Sequence, residues 1–445
     1  MGRAAARAPE AAVVAVAVGW IALRGIGHDF ISFSDGAYLY AASRGAHALY
    51  GTVVSSLPPG GLLAAAAAWR ISPHVETVRV LLAAIAVVTA LLTYRVARSA
   101  AQLSAPAAVA AAAVATTAPL HAQFVGLEGD AFLTPLALAL LLAVMRDRRV
   151  ATVALLGAGF LFKVTWLPFA LAALLVVARR SGTRAAAATA AAGGLVAVAG
   201  YASACAIFGW SPGDLFAQLV VAESRSGLQP ELAGGIVLAL VVMWWPLLAL
   251  APGGVRRARP ELRVFAAAAA ACVLFTLKQG TFFNVLDPFE PMLAILAVAG
   301  AVELGRRRLV IATCGAAAAL HVLSLTTVRV PVPVGAAIVD VHNAKQVDAV
   351  VASIDAHARP GERVLVNPFF AVVGRRREVD DAADWFILHS LADGRWTRAK
   401  RDARGRVATV DSNVLAFDSA FRPTGVRILH VDAAPIRTTV YARRA

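Results

Sequence analysis

The sequence predicts an all-helical polytopic membrane domain followed by a small α/β domain. Three observations carry this. Of 445 residues, 59% are hydrophobic and only 16% are charged, whereas a soluble domain carries about 25% charge. The apolar residues fall into runs of membrane-spanning length bounded by charge or turn residues. From about Pro331 the composition turns polar and the runs cease.

The apolar runs are 10–27, 76–94, 103–120, 131–145, 149–162, 164–178, 185–208, 232–251, 263–277, 288–304 and 309–329, which predicts about eleven spans in residues 1–330. The first follows Arg3 and Arg7 in the manner of a signal peptide, but no clear small-x-small cleavage site comes after it. It reads as a retained signal anchor. Residues 58–70 (PPGGLLAAAAAWR) are apolar but short and open on Pro58-Pro59 and Gly60-Gly61. They are assigned to a helix lying on the outer surface.

The net charge of +15 comes from 42 basic and 27 acidic residues. Most arginines stand in short clusters between apolar runs, with no aromatic-interleaved basic patch, so the charge argues for membrane topology and against nucleic acid. With the N-terminus in the cytoplasm, Arg3, Arg7 and the clusters 95–98, 146–149, 179–184, 256–263 and 306–308 lie inside. Far fewer basic residues fall on the opposite side: Arg44, Arg70, Arg79, Lys163, Arg225 and Lys278. The expected location is therefore the cell membrane, multi-pass, with the C-terminal domain extracytoplasmic.

Residues 331–445 form the second expected domain. Its alternating segments, such as RVLVNP and GVRILHVDA, predict strands, and a helix is expected near 343–357. About 115 residues can bury a modest core. The cysteines, Cys205, Cys272 and Cys314, lie in or beside apolar runs and offer neither a disulfide framework nor a CxxC metal site.

The external segments are then 28–75, 121–130, 209–231 and 278–288. The first reads HDFISFSDGAYLYAASRGAHALYGTVVSSLPPGG. An acid, a tyrosine, small residues, a glycine, a Leu-Tyr pair and a Pro-Pro before an amphipathic helix stand here as Asp35, Tyr38, Ala41, Gly45, Leu49-Tyr50 and Pro58-Pro59. This order resembles the GT-C superfamily, membrane glycosyltransferases of the mannosyltransferase and aminoarabinose-transferase kind that use polyprenyl-phosphate sugars. The resemblance covers roughly residues 10–305. It implies a GT-C-like membrane domain, with Asp35 as the catalytic carboxylate and Tyr38 and Tyr40 in the donor and acceptor loop.

Chemistry gives a separate reason for a carboxylate there. Sugar transfer from a lipid phosphate needs a base for the acceptor hydroxyl. Asp29 competes with Asp35, and both also read as solvated acids or helix caps.

The second external segment, HAQFVGLEGDAFLTP, holds Glu128 and Asp130. By the resemblance a second acid here orients the acceptor. Asp130 is equally placed to cap a helix starting at Ala131. Two carboxylates alone make an incomplete site for a hard cation, so no metal site is assigned and a metal requirement stays open. The chain has four lysines, Lys163, Lys278, Lys345 and Lys400. Lys163 (GFLFKVTW) and Lys278 (LKQGTFFNVLDPFEP) lie at membrane edges, where a cation is costly without a partner. The resemblance assigns both to donor-phosphate binding. Snorkelling to the interface is the other reading. Phe283-Asn284 stands where relatives often have His or Arg followed by Tyr, and Asn284 is counted with Tyr38 and Tyr40 in the donor and acceptor loop. Asp287 and Glu290 read as partners of Lys278 or caps of the next span, and most tryptophans as an interfacial belt.

The function expected is transfer of a sugar from a polyprenyl-phosphate donor to an extracytoplasmic glycan, lipid or protein. The partners implied are membrane lipid, the lipid-linked sugar and that acceptor. The alternative is a transporter or flippase of lipid-linked glycan. Against it stand the absence of an internal repeat and the placement of most acids in external loops rather than at mid-membrane.

Overall fold

The computed structural model describes residues 3–23, 33–51, 53, 55–117, 130–224, 227–278, 283–304 and three strands between 408 and 443. Its helices are α1 (Arg3–Leu23), α2 (Phe33–Arg44), α3 (Pro59–Ile71), α4 (Val75–Ala100), α5 (Ala105–Thr116), α6 (Asp130–Met145), α7 (Arg149–Phe160), α8 (Leu167–Ser181), α9 (Thr183–Phe208), α10 (Pro212–Phe216), α11 (Pro230–Arg257), α12 (Pro260–Ala271) and α13 (Phe289–Glu303). Ten of the eleven expected spans thus coincide with helices, and the run 309–329 lies outside the described residues. The short helix expected at 58–70 is α3.

Local chemistry sets the boundaries. Proline stands in the first turn of α3, α5, α8, α10, α11 and α12, where its missing N–H costs nothing. Gly182, at φ +88°, turns the chain between α8 and α9, and Gly209, at φ +72°, ends α9. A π-helical stretch, Ala217–Ala222, continues from α10.

Among the described residues, 77–100, 164–181, 183–208 and 260–277 are long and apolar enough to cross a membrane. Burial sorts the bundle. From Met292 to Ala301, α13 is buried all round, as an apolar central helix must be. By contrast, α9 is also apolar but leaves Leu195, Val198 and Ile207 about two-thirds exposed, which suits lipid and not water. The central crossing is α11 on α13. Gly254 lies against the backbone of Leu296, and Gly300 against the carbonyl of Leu250, with no room for a Cβ at either position. Small residues allow this closeness, which is the usual basis of helix packing in lipid.

The loops separate to two ends. At one end Arg95 pairs with Glu10 at 3.2 Å, Arg180 with Glu261, and the N–H of Arg259 donates to the Ala100 carbonyl at 2.9 Å. This end gathers the described arginine clusters; the cluster 306–308 lies outside the described residues. The other end gathers the described parts of the segments expected outside.

In the C-terminal portion, β1 (Ala408–Asp411), β2 (Phe421–Val431) and β3 (Ala434–Arg443) form an antiparallel sheet in the order β1-β3-β2. Thr409 faces Val440, and Val426 faces Thr439. β2 contains the expected strand GVRILHV. RVLVNP and nearly all of 343–357 lie outside the described residues.

Candidate functional site

Asp35 lies in the first turn of α2, which packs beside α3. From α2 the chain runs into a turn that is buried rather than loose. Leu49, Tyr50 and Val53 are fully buried, and Tyr40 is 2% exposed. Tyr38 packs against the same cluster, which includes Trp210 and Leu215 from beyond α9.

Polar contacts pin this turn to the segment 208–218. The amide of Gln218 donates to the Tyr50 carbonyl at 2.7 Å, and its oxygen accepts the Ser55 N–H at 3.0 Å. The Trp210 indole donates to the Ala46 carbonyl at 2.7 Å. The Tyr50 hydroxyl donates to the Leu57 carbonyl, and its ring meets Trp210 edge-on at 4.9 Å. Burial, first, and the electron-rich groups of Tyr201 and Cys205 push the Tyr50 phenol well above its ordinary range. It therefore stays a hydrogen-bond donor.

The start of α3 joins the turn that carries Lys163. The Gly60 N–H donates to the Leu161 carbonyl at 2.6 Å, and a Cβ on Gly60 would strike that carbonyl and the Phe162 ring. Phe162 in turn stacks on Phe132 of α6 at 5.1 Å. Behind Lys163, Trp166 fills the space left by Gly159 and donates to the Leu156 carbonyl at 3.0 Å. So the turn that carries Lys163, the first turn of α6 and the start of α3 meet through Leu161, Phe162, Phe132 and Gly60. Asp130 is the first residue of α6, one residue earlier than the helix expected from Ala131.

The late loop closes on the same helix. Thr134, one turn after Asp130, donates to Asp287 at 3.0 Å, and both are buried. Glu290 is fully buried and accepts the Trp244 indole N–H at 2.8 Å. Asn284 is buried at 8% exposure, and its carbonyl receives the Asp287 N–H. Lys278 forms an ion pair with Glu223. The expectation that Asp287 or Glu290 would pair with Lys278 is therefore corrected: those acids turn inward to Thr134 and Trp244. The tryptophan belt is corrected too. Among the described tryptophans, Trp20, Trp166, Trp210 and Trp244 are buried, Trp69 is half-buried and Trp245 is exposed, and the indoles of Trp166, Trp210 and Trp244 serve interior acceptors.

The described segments carrying Asp35, Tyr38, Tyr40, Asp130, Lys163, Lys278 and Asn284 thus belong to one end of the bundle. Glu128 and Asp29 lie outside the described residues. Among those described, no group of three or more His, Cys, Asp or Glu is placed to hold a metal ion. Gln218, Thr134 and Glu223 escaped the sequence reading. A polar residue inside the apolar runs LFAQLVVA and FLTPLALA is the signal that could have found the first two.

No family model matches the chain, and no curated protein matches it. A solved structure of ArnT from Cupriavidus metallidurans bound to undecaprenyl phosphate superposes with a TM-score of 0.61 at 15% identity, over 97% of each chain. The same protein in the apo state gives 0.57 at 13% identity, over 93% of each. The chain has the fold of ArnT. The likeness runs over almost the whole length of both chains, and the fold agrees with the one that the resemblance of the first external segment implied. The four described helices long and apolar enough to cross a membrane fit a multi-pass membrane protein.

Proposed function

We propose that the chain is a membrane glycosyltransferase that moves a sugar from a polyprenyl-phosphate donor to an extracytoplasmic acceptor. The observation that carries this reading is the end-to-end likeness to a protein solved with undecaprenyl phosphate. What supports it further is the meeting, at one end of the bundle, of segments bearing a candidate base and two lysines.

In this reading Asp35 takes the proton of the acceptor hydroxyl. The acceptor oxygen attacks the anomeric carbon in line, the bond from that carbon to the phosphate oxygen breaks, and the configuration inverts. Polyprenyl phosphate leaves with the bonding electrons. Lys163 and Lys278 stabilise the charge that builds on the phosphate, and Lys278 exchanges Glu223 for it. Asp130 and Glu128 orient the acceptor, and Tyr38, Tyr40 and Asn284 shape the walls. The second expected domain, residues 331–445, would then help bind the acceptor or close over the site.

The test is transfer of labelled sugar from a panel of polyprenyl-phosphate donors to envelope acceptors in membranes containing the full chain. Asp35→Asn is expected to lower transfer by about 10²–10⁴-fold, the contribution of a positioned base, at unchanged expression. Full activity in that variant removes the mechanism.

A further inference from the structure

At the opposite end of the bundle a cavity of about 360 Å³ opens between α1, the end of α4 and the turn from α6 to α7. Among the described residues it is lined by Glu10, Tyr94, Arg95, Arg98, Ser99 and Arg146. An excess of arginine at this end is what membrane topology alone demands, and two other described arginines here have carboxylates of their own. Arg149 pairs with Asp147 at 3.8 Å, and Arg180 pairs with Glu261. In the cavity, three guanidiniums share the single carboxylate of Glu10, which pairs with Arg95. One nitrogen of Arg98 is used by the Leu103 carbonyl, which fixes the side chain and leaves its other donors to the cavity. Among the described residues, two positive charges remain unbalanced in a concave site of ligand size.

We infer that this cavity binds a phosphate group, either the headgroup of an anionic membrane lipid or free phosphate. Guanidinium forks match phosphate oxygens in pairs, and phosphate supplies the charge that Glu10 alone does not. The cavity sits where the apolar stretch of α4 ends, the level at which lipid phosphates lie. The site is independent of the transferase reading, since it lies at the other end of the helices from Asp35.

The experiment is a thermal-shift titration of the full-length chain in detergent, with phosphatidylglycerol, phosphatidylcholine and inorganic phosphate as separate probes. Phosphatidylglycerol is expected to raise Tm saturably and phosphatidylcholine not to. Arg98→Gln with Arg146→Gln is expected to weaken apparent affinity about tenfold or more, from the loss of two charge-assisted contacts. Arg146→Gln alone, in an exposed turn, gives a smaller loss in the same direction should the double variant not fold. Arg149→Gln and Asp35→Asn are expected to leave the shift intact. A saturable shift with inorganic phosphate alone, lost in the same variants, assigns the site to free phosphate. Equal affinity in wild type and both arginine variants, or an equal response to phosphatidylcholine, overturns the proposal.

Discussion

Gln218 is the residue on which the outer end turns. It serves two backbone groups across 163 and 168 residues of chain, and at 1% exposure neither has water to fall back on. Gln218→Ala is expected to cost about 1–3 kcal/mol, the penalty of leaving buried backbone groups unpaired, read as a lower unfolding temperature of the purified chain. Tyr50 gives a pH-dependent counterpart. Its folded pKa is raised above the unfolded value, so its contribution is complete below the unfolded value near 10 and fades as pH rises toward the folded one. Wild-type stability is expected to fall above about pH 10, and Tyr50→Phe to flatten that fall. Equal alkaline slopes in the two proteins would refute the assignment. None of these partners was legible beforehand, because hydrogen bonds between positions so far apart leave no local periodicity. Asp35 stands as a candidate from the sequence alone, since the pattern around it lies within one short segment.

At the scale of elements, hydropathy located the helices because burial in lipid sets both their length and their composition. What it missed was which apolar helix is central. α9 and α13 are alike in sequence character, yet α9 faces outward and α13 is enclosed. The discriminating signal is small: Gly253, Gly254 and Gly300, where two backbones touch. Gly300→Val is expected to force α11 and α13 apart and lower the unfolding temperature by several degrees. The same change at Gly194 of α9, where a Cβ meets nothing within 4 Å, is expected to cost far less. The tryptophans teach the same lesson. An indole near a span end reads as an interfacial anchor, and only a partner such as the Glu290 carboxylate or the Ala46 carbonyl turns it inward.

For the whole molecule, the arginine clusters gather at one end and the candidate site segments at the other. Cysteines introduced at position 35 and at position 98 are therefore expected to react with impermeant reagent from opposite faces of sealed cells, position 35 from outside. Reaction of both from one face would break the two-ended arrangement. Protease added outside intact cells is expected to clip residues 331–445, and protection there would invert the proposed topology.

The sequence alone determined that the chain is built of apolar helices suited to a membrane, roughly where those helices lie, and which described arginine clusters share an end. Each of these follows from local transfer of side chains between water and lipid. Tertiary structure alone decided that Lys278 meets Glu223, that Asp287 and Glu290 turn inward to Thr134 and Trp244, and that three arginines surround one cavity. Lipid rewards every apolar helix equally, so only close packing and the pairing of buried polar groups select which helices become neighbours.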